Sequence, residues 1–138
     1  MFFRFEKAFQ AACGRNPQVI TMTPALRKQI LAKHNNLRNQ IAKGDAKFKP
    51  AVRMATMRWS PELAKLAEFN VKQCRMQHDQ CRNTKNFKYA GQNLATMYWK
   101  GMQKTVSSVA NSLIQNWFDE YKDCTMAYIN KYPSNTNG

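Results

Sequence analysis

The sequence predicts a single, mainly helical domain, and three observations carry that expectation. Apolar residues recur at helical spacing in three separate stretches. Two of those stretches open on Thr-Pro or Ser-Pro, a capping side chain followed by proline at the first helical position. The length, 138 residues, suits one domain and leaves no room for two ordinary ones. A composition of 43% apolar and 12% aromatic residues supports a real core and argues against wholesale disorder. No run approaches the roughly 18 consecutive apolar residues that a membrane-spanning helix needs.

Taken in order, residues 1–22 have no clear pattern and read as an N-terminal tail. The charges in Met1-Phe2-Phe3-Arg4-Phe5-Glu6-Lys7 interrupt the apolar core of about 7–15 residues that a secretory signal requires, so no convincing signal peptide is expected there. Thr23-Pro24 starts the first helix, Leu26, Ile30, Leu37 and Ile41 form its stripe, and Gly44 supplies a stop. Lys47 to Val52 is polar, contains a proline and reads as a loop. Met54, Met57 and Trp59 suit a short extended piece leading into the next helix. Ser60-Pro61-Glu62 repeats the start signal, with Glu62 favourable against the helix dipole. Leu63, Leu66, Ala67, Val71 and Cys74 continue as one amphipathic stripe. Residues 79–93 are polar and irregular and end on Gly91-Gln92-Asn93; Val106, Val109, Leu113, Trp117 and Tyr121 then trace a third stripe. The end, Tyr132 to Gly138, is turn-forming, and no internal repeat is present.

Twenty-two Lys and Arg stand against 8 Asp and Glu, a formal charge of +14. Such an excess is the footprint of an anion-binding surface. The basic residues are nevertheless spread from Arg4 to Lys131, and Arg27-Lys28 is the only adjacent pair, so no dedicated nucleic-acid arm is expected. The four cysteines, Cys13, Cys74, Cys81 and Cys124, form no C-x-x-C pair, which speaks against zinc ribbons and thioredoxin-type sites. An even count in a small basic domain suggests disulfides and an oxidising compartment, an expectation at odds with the charged N-terminus. No N-x-S/T glycosylation acceptor occurs.

The strongest local feature is Cys74-Arg75-Met76-Gln77-His78-Asp79-Gln80-Cys81. A His between two Cys offers zinc donors, but positions seven apart on a helix are two turns apart, and disulfide cysteines are the preferred reading. His78 suits either a structural hydrogen bond or a ligand contact. Glu120, near the end of the third helix, is a carboxylate that could pair with it. With two His in total and no G-x-S-x-G, H-E-x-x-H or phosphate-binding glycine motif, no catalytic residue is assigned. Met54, Met57, Met76, Met97, Tyr98, Trp99 and Trp117 suit core packing more than an apolar ligand groove.

Several stretches together resemble one family. His34-Asn35-Asn36-Leu37-Arg38 is similar to the H-N-x-x-R of the first helix in the CAP superfamily (SCP domain), which groups cysteine-rich secretory, antigen-five and plant pathogenesis-related proteins. Met57 to Ala64 resembles its W-s-x-E-L-A entry to the second helix. Cys74 to Cys81 resembles the insect C-x-x-x-H-D-x-C signature. Gly91-Gln92-Asn93-Leu94-Ala95 is similar to the G-[EQ]-N-[LIV]-A box, and Asn116 to Glu120 to the W-[FY]-x-E segment. The order is correct over about residues 23–132, and the nearest type is the insect venom allergen, antigen-five-like member.

The resemblance implies an α+β fold, the CAP-type α-β-α sandwich, here mostly its helical part with the C-terminal strands missing. Residues 23–138 would be a partial CAP/SCP domain, truncated at both ends. A cleft of two His and two acids, zinc-binding in some relatives, would survive as a remnant: His78 falls on the first His, Glu120 on the second acid, and Gln92 where many relatives have Glu. The second His, in a G-H-[FY]-x-Q-x-[VM]-W motif, has no counterpart, so no metal ligand set and no cofactor is assigned. Cys13 and Cys74 become disulfide candidates, leaving Cys81 and Cys124 possibly without partners. Without the sheet, Leu63, Leu66, Leu113 and Trp117 are expected to be partly uncovered, and the chain alone marginally stable. The implied function is an extracellular, non-enzymatic binding module taking a protein or a sterol or lipid ligand. The alternatives are a metal-dependent enzyme using the CAP cleft, or a basic protein acting on nucleic acid or anionic membranes. No specific nucleic-acid partner and no transmembrane segment are expected.

Overall fold

Four helices begin where a hydroxyl side chain can accept a free N–H of the first turn. Thr23 accepts from Leu26 at 3.2 Å and opens α1, Pro24–Ala42. Ser60 accepts from Leu63 at 3.3 Å and opens α2, Pro61–Val71. Thr105 accepts from Ser108 at 3.1 Å and opens α3, Val106–Asp119, and Thr125 accepts from Tyr128 to open the short α4, Met126–Asn130. In α1 and α2 a proline at the first turn presets φ and removes a donor that would have no partner. Two 3-10 turns, Ala11–Cys13 and Glu120–Asp123, complete the elements. This computed structural model describes residues 8–131, so the charged start and the turn-forming end read from the sequence, 1–7 and 132–138, lie outside the described residues.

The described residues contain helices and irregular segments but no strand. The extended piece anticipated around Met54 to Trp59 is an irregular segment, with no neighbouring strand among the described residues to pair its backbone. The Asn35 side chain of α1 takes that role instead: its Nδ2 donates to Met57 O at 3.2 Å and its Oδ1 accepts from Met57 N at 2.8 Å. Arg38, one turn on, donates to Ala55 O at 2.9 Å. The side-chain amide presents an N–H donor beside a carbonyl acceptor, as a peptide group does, so it satisfies an isolated extended residue as a neighbouring strand would.

The described residues divide into two compact units, residues 8–21 with 59–96 and residues 22–58 with 97–131. In the second, α1 and α3 lie side by side and run in the same direction. Gln29 meets Ser107 and Asn111, and one turn further Lys33 donates to Gln115 at 2.6 Å. His34 stands over Trp117 with ring centroids 6.4 Å apart. The core beneath contains Leu37, Phe48 and Ile114, all less than a tenth exposed. Lys47 to Val52 is the irregular loop that its sequence predicts, but Phe48 within it is buried. The turn after α1 folds that segment back: Asp45 Oδ1 accepts from Lys47 N and Phe48 N, and Ala51 N bonds Ala42 O. Gly44, at φ +76, makes this possible, because a Cβ there would sit 2.7 Å from Pro50 N. Phe48 then packs against Tyr121, and Lys47 reaches the carbonyls of Tyr121 and Lys122.

The first unit is organised by α2 and a covalent tie. Cys13 and Cys74 form a disulfide, and Gln10 N donates to Lys72 O at 3.0 Å. The helix stops at Val71, earlier than the apolar stripe suggested. Cys74 stands beyond it at φ +52, a left-handed conformation that turns the chain out of the helix. Leu63, Leu66, Leu113 and Trp117 are half-buried, and Val71 is exposed.

Candidate functional site

The irregular stretch after α2 is held by polar side chains. Asn70, the last buried residue of α2 at 3% exposure, donates to Gln77 O at 3.1 Å and sets where the loop turns back. Gln73 donates to Asp79 Oδ1 at 2.7 Å. Arg82 donates to Asp79 O at 3.0 Å and, through Nε, to Ala90 O. The Gly91–Ala95 box is thereby brought against His78 and Asp79.

Gln92 is the centre of this cluster. Its Oε1 accepts from the Asp79 backbone N–H at 3.1 Å, and its Nε2 donates to Asp79 Oδ2 at 2.7 Å. A peptide N–H can only donate and a carboxylate only accept, so the amide has one orientation here. His78 Nδ1 lies 3.0 Å from the same Oε1, an atom that can only accept. Nδ1 is therefore the donor in this contact, on an exposed imidazole. Asp79 orients Gln92, and Gln92 orients the ring of His78.

Of the residues singled out in the sequence, the structure brings His78 and Gln92 together in the first unit. Glu120 belongs to the second, where it is exposed and opens the 3-10 turn that follows α3. Cys13 and Cys74 are joined, while Cys81 and Cys124 are free, half-buried thiols. Sequence reasoning missed the supporting roles of Asp79, Gln73, Arg82 and Asn70. The available signal for the first was the His-Asp dipeptide itself, a carboxylate next in sequence to an imidazole.

The CAP family model, described as the cysteine-rich secretory protein family, matches residues 31–137. The chain belongs to the CAP family. Among relatives, it is similar to "Venom allergen-1" of Aedes aegypti, 42% identical over 130 residues, covering 94% of this chain and 51% of the relative. The "Antigen 5 like allergen Cul n 1" of Culicoides nubeculosus is 46% identical over 127 residues, covering 91% of this chain and 57% of the relative. "Venom allergen 3" of Solenopsis invicta is 36% identical over 124 residues, 86% and 51% respectively. The chain thus spans about half the length of the curated relatives it matches.

The zinc implied by the family resemblance can be tested against the donors present. His78 offers one imidazole nitrogen, and its neighbour Gln92 offers an amide oxygen that already accepts two hydrogen bonds. Among the described residues no group of three His, Cys, Asp or Glu stands together as a metal cage. Zinc prefers three or four N, S or carboxylate donors, so the donor set around His78 does not fit it.

Proposed function

We propose that this CAP chain acts outside the cell as a binding module of the insect antigen-five type, without chemical turnover, on a protein or a sterol or lipid ligand. The reading extends to the architecture: residues 23–138 are the helical part of an α+β CAP sandwich, after a tail spanning 1–22. The venom-allergen names of its relatives and the cysteine pairing support an extracellular setting.

One observation carries the non-enzymatic part. The Gln92 amide closes on Asp79 at both ends and hands His78 a neutral acceptor. An amide does not titrate near neutral pH, so residues 78 and 92 form no acid–base pair. What the His78 loop offers a ligand is an exposed imidazole held in one orientation. The cleft remnant His78, Gln92 and Glu120 is in this reading a recognition feature, with no resident cofactor.

Titration calorimetry with zinc chloride tests the reading. The expected result is weak, non-stoichiometric heat that His78→Ala leaves unchanged. Tight one-to-one binding abolished by His78→Ala would overturn it in favour of a metal-dependent enzyme.

A further inference from the structure

The segment that leads into α3 corrects a sequence expectation: Tyr98 and Trp99, which suited core packing, are exposed. Residues 97–104, Met-Tyr-Trp-Lys-Gly-Met-Gln-Lys, form an irregular loop in the second unit, turning at Gly101 with φ +92. It is apolar where water would ordinarily select polar groups. Tyr98 and Met102 are each 90% exposed and Trp99 45%, and Val106 at the start of α3 is also exposed. Lys100 and Lys104 alternate with them, and no acidic residue pairs with either among the described residues.

The surroundings share one sign of charge. Because α1 and α3 run in the same direction, their N-termini, each the positive end of a helix dipole, stand at the same end of the unit as this loop. The first turns of α1 add Arg27 and Lys28. Residues 22–44 and 80–118 contain no Asp or Glu at all. Cations interleaved with an exposed tyrosine, tryptophan and methionine match the two layers of a bilayer surface, an anionic headgroup plane over an apolar boundary.

We propose that the 97–104 loop, with the N-terminal ends of α1 and α3, is a docking surface for anionic phospholipid membranes. Tyr98, Trp99 and Met102 enter the headgroup boundary, and Lys100, Lys104, Arg27 and Lys28 face the lipid charges. A nucleic acid would satisfy the cations equally, but it would leave Met102 without a counterpart, since a thioether offers no flat face for base stacking. The surface is independent of the His78 cluster, so failure of one proposal leaves the other standing.

Co-sedimentation of the full 138-residue chain with phosphatidylcholine vesicles containing about a third phosphatidylserine, at about 0.1 M salt, tests this. Binding to these vesicles and none to pure phosphatidylcholine is expected. Lys100→Gln with Lys104→Gln should weaken binding about tenfold or more, and Tyr98→Ser with Met102→Ser by about the same factor. Circular dichroism of the variants should match the parent, because these four side chains are exposed. A blue shift of tryptophan emission on vesicle addition, lost in Trp99→Phe, would support insertion through this loop. Undiminished vesicle binding by the Tyr98/Met102 variant would overturn the proposal, as would no vesicle binding beside tight binding to a DNA duplex.

Discussion

At the scale of single residues, the orientation of His78 depends on the Gln92 amide beside it, whose own orientation Asp79 sets. Asp79 supplies a backbone donor and a carboxylate acceptor, and only one orientation of Gln92 satisfies both. Removing that amide leaves a half-buried peptide N–H and a carboxylate oxygen unpaired, at a cost of about 1–2 kcal/mol. Gln92→Ala is therefore expected to speed hydrogen exchange of the Asp79 amide by about tenfold, with exchange in α3 unchanged. Equal acceleration in both units would mean a global loss of stability and would refute the local role. The identity of Gln92 is legible in the sequence, and so is its place in the Gly-Gln-Asn box. Its closure on Asp79 is not, because side chains 13 residues apart meet only once Asn70 and Arg82 have folded the loop back.

At the scale of elements, the helices owe their starting points to local chemistry that can be read along the chain. Thr105 is the clearest case, since α3 has neither proline nor an acidic residue in its first turn. Thr105→Ala is expected to destabilise α3 by about 1 kcal/mol, read as reduced helical circular dichroism and an earlier melt, with Thr105→Asp restoring it. In α2 the helix surface carries its own pH dependence. Hydrogen bonds from Lys72 at 2.7 Å and Lys65 at 2.9 Å hold the Glu68 carboxyl below its usual range. A depressed folded pKa means that this support is complete above the unfolded carboxylate value and disappears as pH falls through the lower folded value. Both lysines are on the same helix surface as Glu68, which is exposed to screening, so the effect is small and salt-sensitive. The acid limb of a helicity titration should flatten in Glu68→Gln, and the difference should vanish in about 1 M salt. Helix ends followed the caps less closely than helix starts did. The α2 stripe continues in sequence to Cys74, yet the left-handed backbone at that residue turns the chain outward and the helix closes at Val71.

At the scale of the whole molecule, the burial pattern governs stability. Among the described residues the buried apolar set is Leu37, Phe48 and Ile114, while Leu63, Leu66, Leu113 and Trp117 remain half-covered. At about 25 cal/mol per Å² of apolar surface, stripes covered on one side only leave a large part of the usual driving force unused. The chain is expected to melt over a broad range without a sharp heat-capacity peak. A cooperative, high-temperature transition by calorimetry would contradict this. The Cys13–Cys74 bond spans a sequence separation of 61 and on chain-entropy grounds contributes about 4 kcal/mol. Alkylation of the unreduced protein under denaturing conditions should add two groups, at Cys81 and Cys124, and four after reduction. Reduction alone should lower the midpoint of whatever transition unit 1 displays.

What the sequence determined by itself is the part of the molecule written in local chemistry. Cap followed by proline, helical spacing of apolar residues and glycine after α1 are short-range instructions, so α1 and α2 begin where Thr23 and Ser60 stand, and α3 follows its apolar stripe from Val106. Family membership belongs with them, because the motifs that carry it are contiguous stretches of chain. Only the tertiary structure decided that Phe48 leaves a polar loop for the core, that Asn35 replaces a strand as partner for Met57, and that Gln92 presets the His78 ring. These depend on groups 13 to 22 residues apart, or on a turn that only Gly44 permits. Hydrogen bonding and burial at that range are consequences of how the chain packs, and no pattern along the sequence encodes them one residue at a time.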